Sequence, residues 1–285
     1  MENLKCILTN WILGEIIKTD KKINLYLDEY KFNEASNEIY HFIWHIFCDW
    51  YLELIKPYFE SSDSQNLEEI KDVTAFALKF ILTKLHPFMP FITEELWENL
   101  GYKEKPLILS EWDLNLPEKE DVNLSLNTSL LIGIISSVRS IRSELNIPSK
   151  TYLSLEVTEK NYEKLSKIEN VNVLLNKLVR IDTIANVSNF SDRAASFSVL
   201  EIDFSLVIDD SIDLSMELLR IEKEEDKISQ DINLLKKKLD NKNFVEKAPK
   251  NVVQENIDRL DDLNSNLIKV RESKLFIGKF VSNGE

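Results

Sequence analysis

LSMELLRIEKEEDKISQDINLLKKKL, Leu214 to Leu239, carries apolar residues at alternating steps of four and three. Leu214, Leu218, Ile221, Ile228, Ile232, Leu235 and Leu239 hold that phase, with Glu225 as its polar interruption. A 3.5-residue period puts these side chains on one seam of a helix built to pair with another helix. DNKNFVEKAPKNV follows, and its Pro249 suits the first turn of a new helix, where a missing N–H leaves no bond unmade. Val253, Ile257, Leu260, Leu267 and Val270 resume the seam, with a phase slip near Leu263 and Asn264. Two heptad helices joined by a short turn predict an antiparallel coiled-coil hairpin. With about 25 residues per helix, the arm would be roughly 35–40 Å long.

Upstream the pattern changes twice. Between Asn123 and Asp213 helical and alternating stretches mix. Leu126 to Leu145 reads as an amphipathic helix stopped by NIPSK. TYLSLEV alternates with period two, Leu153, Leu155 and Val157 against Tyr152, Ser154 and Glu156, which predicts a strand. NYEKLSKIENVNVLLNKL reads as a second helix, and IDTIANV, AASFSVLE and IDFSLVI as further strands. A small α+β domain follows from these.

From Leu4 to Leu100 the period is helical. Trp11, Glu15 and Lys18 share one face, and Ile12, Ile16 and Ile17 fall on another. Ala35, Ile39, Phe42, Ile43, Ile46, Trp50 and Leu54 recur at three- and four-residue steps. Lys56-Pro57 predicts the end of that helix, because the residue before proline is pushed out of the α region. Val73, Ala77, Phe80, Ile81 and Leu85 mark the next helix, up to His86-Pro87. The expected fold is mainly α: an antiparallel helical bundle over 1–122, a small α+β domain over 123–213 and the coiled-coil hairpin over 214–279.

Composition agrees. The 285 residues are 44% hydrophobic and include only 5 Gly and 7 Pro, which favours long helices. A net charge of −14 argues against indiscriminate nucleic-acid binding and leaves room for a local basic patch. Cys6 and Cys48 lie far apart and outside metal-ligand spacing, as reduced thiols of a cytoplasmic protein do. No apolar run reaches the ~20 residues of a membrane span. The first residues, MENLKCILTNWILGEI, do not read as a secretory signal.

HPFMPFITEELWENL, His86 to Leu100, combines a histidine with Glu94 and Glu95. Every residue there has a structural use: Pro87 closes a helix, Thr93 caps the next, the glutamates suit its first turn, Trp97 packs inward and Gly101 ends it. The stretch is expected to be a joint between helices. HFIWHIFCDWY could stack nucleobases, although aromatics at helical spacing usually form core. His41 and His45, at i and i+4, lack a third ligand nearby, so no metal site is expected and no catalytic residue is assigned. The hairpin turn is the stronger functional signal. Lys236, Lys237, Lys238, Lys242, Lys247 and Lys250 against Asp240 and Glu246 give a local charge of +4. Phe244 and Val245 add apolar side chains at an exposed turn, which suits a contact surface. Arg139 and Arg142 share a helix face and suit either RNA or a partner such as Glu144.

HPFMPFITEELW and FIWHIFCDWYLELIKPYF resemble the anticodon-binding helical bundle of class I aminoacyl-tRNA synthetases. DWYLEL-x-KP is most similar to the valyl-tRNA synthetases. SVRSIRSELNIPSK resembles the segment that follows in that family, and KLDNKNFVEKAPKNVV its C-terminal coiled-coil turn. The resemblance runs from Trp11 to Lys274, nearly the whole chain. It implies a bundle that receives the anticodon loop and an arm whose lysines meet tRNA phosphates. ATP and magnesium belong to the catalytic region of the complete enzyme. That region's His-x-Gly-His and Lys-Met-Ser-Lys-Ser motifs are not found in this sequence. The implied partners are tRNA(Val) and the catalytic domain of the same enzyme, with no DNA, no membrane and no cofactor held here. The chain would be a monomer unable to charge tRNA alone. Two alternatives are a scaffold that dimerises through its coiled coil and a stand-alone tRNA-binding helper.

Overall fold

The computed structural model is mainly helical and describes residues 4–60, 66–114, 116, 122–209, 214–241 and 249–281. The chain divides into two compact units. One comprises Met1–Ser136, Glu159–Asp182 and Val199–Ile202; the other comprises Ser137–Thr158, Thr183–Ser198 and Asp203–Glu285.

The first unit holds α1 (Ile7–Asp28), α2 (Phe32–His41), a π-helical segment (Phe42–Tyr51), α3 (Leu52–Glu60), α4 (Leu67–Leu85) and α5 (Pro90–Asn99). The first part of α6 (Val122–Glu144), then α7 (Glu159–Ser166) and α8 (Val171–Val179), complete it. Trp11 is buried together with Ile12, Ile16 and Ile17, while Lys18, on the same face as Trp11, stays exposed and pairs with Glu15. No side chain of its own caps α1. Glu69 does so from the first turn of α4: the Lys5 and Cys6 N–H groups each donate to its carboxylate at 3.0 Å, and the Thr9 hydroxyl donates as well. A carboxylate there satisfies orphan donors and faces the positive end of the helix dipole.

The helix expected to stop at Lys56-Pro57 runs on through Pro57 to Glu60. Its upstream part is wound more widely, with the Leu52 N–H bonded to the Phe47 carbonyl five residues back. Interior proline costs about 3 kcal/mol. Leu54, Ile55, Pro57 and Tyr58 are all buried, and each such large apolar side chain contributes ~1.5–3 kcal/mol, so packing outweighs the break.

The middle of the first unit is held by a charge. Lys84 is fully buried on α4. Its Nζ lies 2.7 Å from Asp20 Oδ1, donates to the Trp112 carbonyl at 2.9 Å and sits 3.9 Å from the Trp112 ring centre. Trp112 Nε1 donates to Asn24 Oδ1 at 2.8 Å, and Asn24 Nδ2 donates to Asp20 Oδ2 at 3.1 Å. One ammonium thus ties α4 to α1 and to the loop after α5.

His86–Leu100 is a joint, as expected, but Thr93 is not its cap. Pro90 occupies the first turn of α5 and Met89 the cap position. Thr93, one turn in and fully buried, donates from Oγ1 to the Met89 carbonyl at 2.8 Å and lies 2.7 Å from His86 Nδ1. The fixed φ of proline sets the helix start one turn earlier than the threonine does. Glu94 leaves the first turn to accept the Leu107 N–H at 2.8 Å. Gly101, at φ +97°, ends the helix.

NYEKLSKIENVNVLLNKL forms two helices, α7 and α8, where one was expected. Asn170 breaks it at φ +56°, a left-handed conformation that asparagine tolerates. The strand expectations hold: β1 (Leu153–Thr158), β2 (Ile181–Val187), β3 (Ala194–Val199) and β4 (Ile202–Val207) form one sheet in the order β2-β1-β4-β3. Antiparallel β1 and β4 set Ser154 opposite Val207 and Val157 opposite Phe204. Leu153, Leu155 and Val157 are buried, as their alternation requires.

In the second unit α9 (Ser215–Asp240) pairs with α10 (Lys250–Val281). Ile221, Ile228 and Ile232 are buried on the α9 seam, with Leu218, Leu235 and Leu239 half-buried. On α10 the seam differs from the expected one. Ile257 is turned outward, 38% exposed, and Asn256 holds the inner position. Val253, Asn256, Leu260, Leu263, Leu267, Val270, Lys274 and Ile277 alternate three and four without a break, so the phase slip disappears. The apparent slip comes from Ile257 being more apolar than its neighbour Asn256.

Two substitutions test this packing. Lys84→Ala strands the Asp20 carboxylate and should lower stability by about 3 kcal/mol or more, whereas Lys84→Met should cost less, both read by urea denaturation. Ile232→Asp, which buries an unpaired charge in the seam, should melt α9 and α10 and remove their share of the helical circular-dichroism signal.

Candidate nucleic-acid interface

Lys236, Lys237 and Lys238 occupy the last turns of α9 and are all exposed. Three adjacent positions span most of a helical turn, so the ammoniums spread around the end of the helix. Cations also suit a helix C-terminus, where the dipole is negative. Lys238 Nζ reaches across to Asn256 Oδ1 of α10 at 3.1 Å. Lys242, Phe244 and Lys247 lie outside the described residues, as does the side chain of Lys250, which opens α10.

Farther along the arm Glu225 fills the seam position that broke the apolar pattern. Its Oε1 accepts from Arg271 Nε at 2.8 Å and its Oε2 from Lys274 Nζ at 3.1 Å. These bonds, Arg271 first, hold its carboxyl below the ordinary carboxylate range; the bond to Glu225 likewise raises Lys274. Together with Lys238–Asn256 they run antiparallel, 225 with 271 and 274, 238 with 256. The polar residues of the two helices therefore pair within the chain. Sequence reasoning missed both cross-links. The available signal was that Asn256 and Lys274 fall on the three-and-four period of α10.

Arg139 is exposed on α6. Arg142, its companion in the sequence reading, is buried instead. Its Nη2 donates to the Pro148 and Thr151 carbonyls at 2.7 Å each, closing the NIPSK loop. These carbonyl acceptors are ones that the sequence pattern does not reveal.

The aromatic stripe divides. Phe42, Phe47 and Tyr51 are core, with Phe42 edge-on to Phe80. Tyr40 and Trp44 face outward, their rings nearly parallel at 6.2 Å. His41 and His45 lie beside them with ring centres 5.3 Å apart, and His45 Nδ1 is 3.3 Å from Asp49. Among the described residues no three His, Cys, Asp or Glu side chains are placed to hold a metal ion. Cys6 and Cys48 are both free thiols, and burial pushes each above its ordinary pKa. No described helix is long and apolar enough to cross a membrane.

Comparison with known proteins places these features. Residues 9–157 match the family described as the anticodon-binding domain of tRNA ligase. Residues 213–275 match the valyl tRNA synthetase tRNA binding arm. The valine–tRNA ligase of Bartonella henselae is 38% identical over 274 residues, which cover 93% of this chain and 29% of that protein. Those of Zymomonas mobilis and Bacillus subtilis are 33% and 30% identical, covering 92% and 90% of this chain. The chain thus spans about 30% of the length of these relatives.

The Glu225 pairing has a pH consequence. A carboxyl whose folded pKa is depressed stabilises above its unfolded value and loses that contribution as pH falls through the folded one. The thermal midpoint of α9 and α10 should therefore fall on acidification below about 4.5, the ordinary glutamate value, and Glu225→Gln should flatten that fall in circular-dichroism melts.

Proposed function

We propose, from the premise that this chain belongs to the anticodon-binding domain family of tRNA ligases and carries the valyl-tRNA synthetase arm, that it holds tRNA(Val) for a catalytic region elsewhere in a valine–tRNA ligase. The observation that carries the reading is the exposed triplet Lys236–Lys238 at the end of a family-matched arm, in a chain of net charge −14. Screening at physiological salt acts over ~8 Å, so acidic residues many turns away do little to cancel charge at the arm's end.

The roles divide by chemistry. Lys236, Lys237, Lys238, Lys242, Lys247 and Lys250 contact phosphates, which position RNA and carry little sequence information. Phe244 adds an apolar contact at the turn. The bundle receives the anticodon loop, whose unstacked bases are read by their edges and by stacking. Arg139 extends the phosphate surface, and Arg142 contributes through the loop it closes. ATP and magnesium act at the catalytic region, and the chain alone forms no aminoacyl-tRNA. The domain limits 1–122, 123–213 and 214–279 serve as the working division of this labour. The polar seam pairs favour a hairpin closed within one chain, so the alternative of a dimerising scaffold predicts a dimer where this reading predicts a monomer.

The test is binding of tRNA(Val), followed by fluorescence anisotropy across a salt series. Binding should weaken steeply with salt as counterions are released, and Lys236→Ala/Lys237→Ala/Lys238→Ala should lower affinity for many tRNAs alike while flattening the slope by about two to three phosphate contacts. No binding at low salt would overturn the reading; an unchanged triple variant would overturn the arm assignment. Sedimentation of the free chain as a dimer would favour the scaffold.

A further inference from the structure

The base of the arm is tied to the end of α6 by a chain of polar side chains that tRNA binding as such does not require. Glu217, in the first turn of α9, is only 8% exposed. Its carboxylate accepts from Arg220 Nε at 3.0 Å and Nη2 at 2.7 Å, and from Asn146 Nδ2 at 2.8 Å. Arg220 Nη1 continues to Glu224 at 2.9 Å. Asn146 sits just past α6 at φ +50°, and the next turn of chain is closed by Arg142 on the Pro148 and Thr151 carbonyls. Leu145, Ile147 and Leu214 are buried around this joint. Arg220, first among the causes, holds the Glu217 carboxyl below the ordinary range, so the joint keeps its charge at neutral pH.

We propose that Asn146, Glu217 and Arg142 are positioning residues that fix the direction in which the arm presents Lys236–Lys238 to tRNA, a role that rests on the proposed function. The leverage is geometric. Lys236 lies nineteen residues beyond Glu217, or about 30 Å along α9. A tilt of about 10° at Glu217 moves the lysines by ~5 Å, more than the ~3 Å length of a hydrogen bond. An apolar contact alone resists separation but not rotation. The directed Asn146–Glu217 bond, braced by the Arg220 fork, supplies the angular restraint.

The experiment measures tRNA(Val) affinity and salt slope for the full chain and for Glu217→Gln, Asn146→Ala and the exchanged pair Asn146→Asp/Glu217→Gln. The exchange returns a carboxylate and an amide to the joint, and aspartate also tolerates the left-handed backbone. Each single variant should weaken binding about five- to tenfold and flatten the salt slope by about one phosphate contact while keeping the helical signal. The exchanged pair should recover at least half of the loss. Wild-type affinity in both single variants overturns the proposal, as does a loss that the exchange fails to recover or that follows a fall in helix content. Those outcomes leave the proposed function standing; failure of the unsubstituted chain to bind tRNA removes both.

Discussion

Pairing of polar residues across the seam of α9 and α10 is what turns a repetitive heptad pattern into one defined arm. An apolar seam alone tolerates a shift by one heptad, because leucine and isoleucine recur at every register. Glu225 can meet Arg271 and Lys274, and Lys238 can meet Asn256, in a single antiparallel alignment. Polar seam residues commonly specify register at some cost in stability. The register also fixes how the end of α9, with Lys236–Lys238, lies against α10. The placement of Lys236–Lys238 therefore depends on the Glu225 pairs, about three turns back along α9, as well as on the bond that Lys238 itself makes.

The first unit solves a comparable problem with a buried charge. Enclosing Lys84 costs desolvation, and an ion pair in such a site is weak evidence for stability. What Lys84 supplies is direction: its three donors are divided between Asp20 and the Trp112 carbonyl, with the indole face completing the shell. A leucine could fill the volume but would not distinguish one approach of α1 from another. Glu69 acts in the same way at the other end of α1, where backbone donors need an acceptor from a different helix. In both units apolar burial supplies the drive, and a few charged groups choose among arrangements of similar burial.

This contrast explains what could be read in advance. The hairpin, the bundle and the strands were legible because each rests on a hydrophobic period, 3.5, 3.6 or 2, written in adjacent residues. Apolarity alone favours Ile257 over Asn256 for the seam, and only the partner helix shows that an amide is wanted there. The local rule for Pro57 ends the helix, and the burial of Tyr58 and Leu54 overrides it. Thr93 was a sound cap by composition, but Pro90 opens the helix a turn earlier. Of the candidate site, the lysine triplet was legible as charge. The burial of Arg142 was not, because its acceptors are backbone carbonyls of a loop whose shape only the fold determines.

Under the proposed function, an acidic chain that binds tRNA must concentrate favourable charge and hold it at a distance from its own opposing charge. A flexible lysine tail would meet the first demand but would pay the entropy of ordering on every encounter. A helical hairpin meets both, because separation is built in at ~1.5 Å per residue and the lysines arrive already spaced. Rigidity then makes the base of the arm as consequential as its tip: an error in angle grows with distance along the helix. A satisfied, buried carboxylate at the base, Glu217, and a heptad-locked rod beyond it are the two features on which the proposed lever rests.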